Sequence, residues 1–300
     1  MKLYKFAGVA GLFLFLAAGS SVFAGEPPSR AGVGINDFLK KLSTTMDLSK
    51  AHISVVDVSD PNNIVRGGWH DNEFVPAASV IKIAVLASAY HAVKNGRISL
   101  DSKVTISSKN NTGTLSFSGD PYPPMRPGQT WTIRDIINVM IRRSDNVATN
   151  TMIDILGRSN MCNFLHGIGC PNAYVRHKLS SGNTVVDPND SGRNQLYPYD
   201  AATLLSFIAR ETLFSPAASK EMYDILSHQL DRELIAAALP KGVSYAGKTG
   251  VISNERNDAA IITGPNRHYV LVVYVSLPAG QARPIIRQIA AKVDAFMAAK

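Results

Sequence analysis

The chain has only two cysteines in 300 residues, Cys162 and Cys170. It has no Cys-x-x-Cys pair and no His-Glu-x-x-His, and its seven histidines are scattered without metal spacing. A zinc enzyme is therefore disfavoured and no cofactor is expected. Long apolar runs are missing beyond the N-terminus, so no membrane span is expected in the mature chain. The chain is basic, with a net charge of +8, but its lysines and arginines form no cluster and carry no interleaved aromatic stripe. That argues against nucleic acid as a partner, because clustering is what builds a nucleic-acid footprint. A diffuse cationic exterior suits an anionic cell-wall polymer. Internal repeats and low-complexity tracts are also absent.

The N-terminus has the organisation of an export signal. Lys2 and Lys5 form a basic start, Phe6 to Ala18 is an uncharged apolar stretch, and Val22-Phe23-Ala24 offers small or modest residues before Gly25. Residues 1–24 are read as a cleavable signal peptide, cut near Ala24-Gly25, which implies a periplasmic or secreted protein. About 275 residues remain, enough for one large domain or two intergrown subdomains. In an exported chain Cys162 and Cys170 allow a local disulfide across a short loop, with two buried thiols as the alternative.

Apolar spacing predicts a first helix capped by Asn36 or Asp37, then a hairpin from His52–Val58 and Ile64–Trp69. Helices follow over Ala77–Lys94, Ile133–Arg142 after a capping box at Thr132-x-x-Asp135, Val147–Leu156, Ala201–Glu211 and Ala217–Leu230. His177–Tyr199 reads as loop. Strands return at Tyr245–Thr249, Ala259–Thr263 and Tyr269–Leu277, with a turn at Pro265-Asn266, and Pro284–Met297 is an amphipathic helix. The expected fold is α/β (α+β): an antiparallel sheet built from both termini, flanked by helices, with an all-helical insertion. Its sheet subdomain spans about 25–75 and 235–300 and its helical subdomain about 76–234 within one domain over 25–300.

Three short strings carry chemistry. Ser79-Val80-Ile81-Lys82 places a hydroxyl and an amine at i and i+3 on one helix face. Free backbone N–H groups of a first turn would stabilise negative charge at Ser79, and the apolar surroundings favour a neutral Lys82 able to accept its proton. A capping serine beside a snorkelling lysine is the bland reading. Ser144-Asp145-Asn146 falls where one helix stops and another starts, so Ser144 can relay a proton and Asn146 can bind an amide, while Asp145 holds the turn. An N-cap cluster is the rival reading. Lys248-Thr249-Gly250 ends a strand, where a cation and a hydroxyl can hold a carboxylate and Gly250 permits close approach. The N–H of Val251, with that of Ser79, can form an oxyanion hole. A polar strand terminus is the alternative.

Together, in this order, the strings resemble the class A serine β-lactamases and their penicillin-binding relatives. Phe74-x-x-Ala77-Ala78-Ser79, Arg143 to Asn150, and Asn257-Asp258-Ala259-Ala260-Ile261-Ile262 extend the likeness across nearly all of the mature chain. The resemblance implies that Ser79 is acylated, Lys82 is its base, Ser144 shuttles the proton, Asn146 binds the substrate amide, and Lys248 with Thr249 holds the carboxylate. It implies a small-molecule β-lactam or cell-wall peptide as substrate and a monomer.

One family feature is missing. Class A β-lactamases carry a Glu-x-x-Leu-Asn whose Glu activates the water that clears the acyl-enzyme. Here no Asp or Glu lies from Lys178 to Val186, and Lys178 or Leu179 takes the Glu position. Asp187 and Asp190 are the nearest carboxylates. Acylation without rapid hydrolysis is the expectation, with a D-alanyl-D-alanine peptidase or a ligand-capturing sensor as alternatives. Ile252 is a further departure, bulky where the family often has a small residue.

Overall fold

A computed structural model describes residues 30–31, 33–112, 117, 119–179 and 193–299. The expected signal peptide and cleavage point at Ala24-Gly25 lie outside the described residues, as do Asp187 and Asp190.

The β-branched runs form the strands expected of them. In chain order the elements begin β1 (Arg30–Ala31), α1 (Val33–Ser43), β2 (Ala51–Asp57) and β3 (Val65–Trp69). The chain later returns as β6 (Ser244–Ile252), β7 (Glu255–Gly264) and β8 (Arg267–Val275), after a small ribbon of β4 (Lys103–Thr105) and β5 (Thr130–Thr132). The main sheet has the order β1-β3-β2-β8-β7-β6. All its pairings are antiparallel except the short parallel contact of β1 with β3. Early and late strands thus interleave in one sheet, with β2 against β8.

Both faces of that sheet are covered, and the period-2 alternation of β8 shows how. Val270, Val272 and Tyr274 join the core shared with the helical layer, whereas Tyr269, Leu271, Val273 and Val275 join the core under α1 and α8 (Ala279–Ala298). A strand buried on both sides reads as a continuous apolar run, as Tyr269–Val275 does. The helical layer comprises α2 (Lys82–Lys94), α3 (Ile133–Arg142), α4 (Asn146–Leu156), α5 (Arg158–Gly167), α6 (Pro198–Ala209) and α7 (Pro216–Ser227). The α2 helix is apolar on nearly every side and almost wholly buried, so it serves as the post around which the others pack. Truncating Ile83 or Leu86 there would cost about 2–5 kcal/mol.

Several expectations are corrected. Helix α1 begins at Val33, upstream of Asn36, whose side chain instead accepts the Gly68 N–H at 3.0 Å. The predicted Ala77–Lys94 helix is divided: a 3₁₀ turn over Ala78–Ile81 precedes α2, and Ala78 has φ 49°. Helix α8 starts five residues before Pro284 because the carbonyl that loses its donor belongs to Gly280, which is exposed. Cys162 and Cys170 form no disulfide. The Cys170 thiol is buried 3.6 Å from the Asp200 carbonyl, at the start of α6.

Candidate active site

Three elements converge on the buried start of α2. The first is the 3₁₀ turn that carries Ser79. Strand β6 passes so close to it that a β-carbon on Gly250 would lie 2.7 Å from the Ala77 carbonyl and 3.1 Å from the Ser79 nitrogen. Only glycine fits that approach. The turn is also tied to β7, where the Asn257 amide donates to the Pro76 carbonyl at 2.7 Å. These two contacts bring Ser79 against the end of β6, where Val251 stands.

The second element is the break between α3 and α4. Ser144 has φ 60°, a conformation that costs a side-chain-bearing residue about 1–3 kcal/mol and persists only when its surroundings enforce it. Asp145 enforces it from below: it caps α4 by accepting the Ala148 N–H at 2.9 Å and pairs with the buried Arg143 at 3.3 Å. Arg143 also bonds Asp120 and the carbonyls of Tyr122 and Pro123. Asp145 is thus structural, as the sequence reading had it.

Lys82 joins the first two elements. Its Nζ is fully buried and lies 2.6 Å from the Ser144 carbonyl, 2.7 Å from Asn146 Oδ1, 3.0 Å from Ser144 Oγ and 3.2 Å from Ser79 Oγ. Burial holds this amine well below the ordinary lysine pKa, and the charge of Lys248 pushes it the same way, against a smaller opposing pull from Asp145. The Ser144 carbonyl and Asn146 Oδ1 are obligate acceptors and use two N–H bonds. A neutral amine then has one lone pair left for a hydroxyl proton. No carboxylate is among the hydrogen-bond partners of Lys82 in the described residues.

The third element is the end of β6. Lys248 is also fully buried, and it donates to Gln229 Oε1 at 3.0 Å and to the Thr249 carbonyl at 2.9 Å. Burial lowers its pKa to about 8, with the charges of Asp231 and Asp258 acting in the opposite direction. The Thr249 hydroxyl donates to Asp231 at 3.0 Å. Ser79, Ser144, Asn146, Lys248, Thr249 and Val251 line one cleft of about 200 Å³, together with Phe117, Arg142, Arg143, Gln229 and Asp231. So the three strings, far apart in the chain, meet around a single cavity. Ile252, beside Val251, is exposed rather than folded into it.

The sequence reading missed Gln229 and Asp231. They follow α7 in a segment with no motif, and nothing short of the fold brings them to β6. It also left open which residue stands at the missing carboxylate. Lys178 is committed elsewhere, bonding Asp154 and Asn110 at 2.7 Å each. The Leu179 backbone is held by Asn150, which accepts its N–H at 2.7 Å and donates to its carbonyl at 2.9 Å. Asn150 is one turn beyond Asn146 on α4, so Leu179 is fastened to the helix face that bears the cleft residue.

Known proteins are similar to this chain in sequence and in fold. A β-lactamase of Bacteroides uniformis is 25% identical over 270 residues, covering 80% of this chain and 83% of its own. Among solved structures, PBP-A superposes with a TM-score of 0.74 at 25% identity, over 91% of this chain and 99% of its own. A PBP-A mutant captured as an acyl-enzyme complex with penicillin G has the same TM-score and identity, over 90% and 98%. Residues 35–297 match the Beta-lactamase enzyme family, and over that span, nearly the whole described structure, the chain belongs to it.

Proposed function

We propose that this protein is an exported serine hydrolase that opens β-lactams by acylation of Ser79 and releases the product slowly. The observation that carries the reading is the Lys82 amine, buried without a carboxylate and touching the hydroxyls of both Ser79 and Ser144. In this reading neutral Lys82 takes the Ser79 proton as Oγ attacks the lactam carbonyl. The N–H groups of Ser79 and Val251 receive the developing oxyanion; one such donor is worth roughly 100- to 1000-fold in rate. Protonated Lys82 passes the proton through Ser144 Oγ to the lactam nitrogen as the C–N bond breaks. Asn146 binds the amide of the acyl side chain, and Lys248 with Thr249 binds the ring carboxylate.

Slow release is the part of the reading that Leu179 supports. With its backbone held by Asn150 on α4, it is in this reading the counterpart of the family's Glu, and its alkyl side chain can activate no water. The likeness to PBP-A, a mutant of which is an acyl-enzyme with penicillin G, supports a penicillin-binding chemistry. The same observation favours a second reading, a D-alanyl-D-alanine peptidase, because both begin with the same acylation.

Intact mass recorded over time after adding a penicillin tests the reading, with Ser79→Ala as control. The expected result is an adduct on the wild type that persists for minutes or longer and is absent from the variant. An adduct that clears within seconds would overturn slow release. No adduct would overturn β-lactam acylation. Release of D-alanine from a D-alanyl-D-alanine peptide at a rate exceeding penicillin turnover would establish the second reading.

A further inference from the structure

Behind the Lys248 end of the cleft lies a polar network that the three strings do not include. Gln229 follows α7 by two residues and is buried. Its side-chain oxygen is the shared acceptor of Lys248 Nζ at 3.0 Å, the Thr249 N–H at 2.7 Å and, more distantly, the Thr249 hydroxyl at 3.4 Å. Its side-chain nitrogen donates to the Asp231 carbonyl at 3.0 Å and to the Tyr245 hydroxyl at 2.8 Å. Tyr245 donates onward to Asp258 at 2.7 Å, and the other Asp258 oxygen accepts the Ile235 N–H at 2.9 Å. Only one orientation of the amide satisfies this chain. Turned over, its NH₂ would face an ammonium and an N–H, donors against donors, in a buried place where an unmade bond costs about 1–3 kcal/mol.

We propose that Gln229 is the positioning residue of the carboxylate subsite: it fixes Lys248 and Thr249 through one neutral acceptor and so leaves the lysine charge to an anionic ligand. This rests on the acyl-enzyme reading of the cleft. The choice of an amide has a physical reason. A carboxylate 3.0 Å from Lys248 would form an internal ion pair and cancel the field that a ligand carboxylate feels. An alkyl side chain would leave a buried ammonium short of an acceptor. The amide avoids both, and Lys248 makes no salt bridge among the described residues. Asp231 completes the arrangement by holding the Thr249 hydroxyl, which an incoming carboxylate must take over.

The test compares Gln229→Glu and Gln229→Met with the wild type, using benzylpenicillin and its methyl ester as probes. Adduct formation at Ser79 is followed by intact mass at several ligand concentrations, and melting curves confirm that each variant folds. Both variants are expected to lose about tenfold or more in second-order acylation rate with the free acid, the range for a hydrogen bond to a charged group. The loss falls mainly in the half-saturating concentration, and the ester changes less than about threefold. Gln229→Glu keeps an acceptor at the site, so an acid-specific loss there identifies cancelled charge rather than lost packing. Equal losses on acid and ester, or no loss in either variant, would overturn the proposal. A wild type that acylates but treats acid and ester alike would overturn the subsite while leaving acylation at Ser79 intact. A wild type that forms no adduct with either probe would overturn the acyl-enzyme reading and this inference with it.

Discussion

Lys82 and Lys248 sit fully buried in one cleft, and their surroundings assign them opposite work. Lys82 touches two hydroxyls, a carbonyl and an amide oxygen. The nearby carboxylate, Asp145, is spent on capping α4 and pairing with Arg143. Among the described residues Lys248 bonds only an amide oxygen and a carbonyl, but Asp231 and Asp258 lie close enough to support its charge. Burial alone depresses both amines. The placement of carboxylates one layer further out separates them: Lys82 is held well below the ordinary lysine range, while Asp231 and Asp258 oppose the fall of Lys248, which stops at about 8, as the proposed base and the proposed carboxylate binder require. The two are also linked, since the charge of Lys248 helps to lower the Lys82 pKa.

The largest expected effect breaks the Lys82 side. Lys82→Met should slow acylation of Ser79 by about 100- to 10,000-fold with acid and ester ligands alike, the usual worth of a positioned base. Lys248→Met should cost less and act on the anionic ligand selectively. Equal defects would mean that the two lysines do not divide the work. Next is Leu179→Glu, which supplies a carboxylate where the structure has an alkyl chain. It should speed the decay of the penicillin adduct by about 100-fold, read as adduct lifetime by mass. An unchanged lifetime would mean that Leu179 does not stand where the deacylating Glu does. Gly250→Ala comes third. Its β-carbon would collide with the Ala77 carbonyl, displace β6 from the nucleophile turn and slow acylation by about 10- to 100-fold.

The pH dependence sharpens the comparison further. The proposed acylation needs neutral Lys82 and charged Lys248. It should rise with pH as Lys82 loses its proton, then fall for anionic ligands as Lys248 does so near pH 8. Asp258→Asn removes a charge that supports Lys248, so it should move the alkaline limb to lower pH in a profile of second-order acylation rate. The smallest effect is on stability. Burial raises the Asp258 pKa from 3.8 to about 7. The folded protein therefore holds that proton more tightly than the unfolded chain between those values, and stability should fall as pH rises through the window. Melting temperatures against pH should show a flatter slope in Asp258→Asn.

Legibility in the sequence tracked how local each interaction is. Ser79 and Lys82 are three residues apart, and helical spacing alone places them side by side. Asp145 as a cap, the β2–β3 hairpin and the doubly buried β8 all follow from neighbours within a few residues. The division of the helix that bears Ser79 and Lys82 did not, because the 3₁₀ turn answers to Gly250 and Asn257 on distant strands. The sequence left the pairing of Cys162 and Cys170 open for the same reason: eight residues of separation say nothing about where Cys170 faces, and its thiol lies against the Asp200 carbonyl. Gln229 and the clasp of Asn150 on Leu179 carry no pattern at all, being single amides that meet backbone brought to them by the fold.

The sequence by itself determined which groups could do chemistry, since residue type sets what can attack, donate or carry charge, and it determined most elements, since period and capping are short-range. The tertiary structure alone decided which of those groups share a cleft and in which direction burial shifts each buried amine. Proximity across tens to hundreds of residues and the loss of solvent around an amine are properties of packing, and no string of neighbours encodes them.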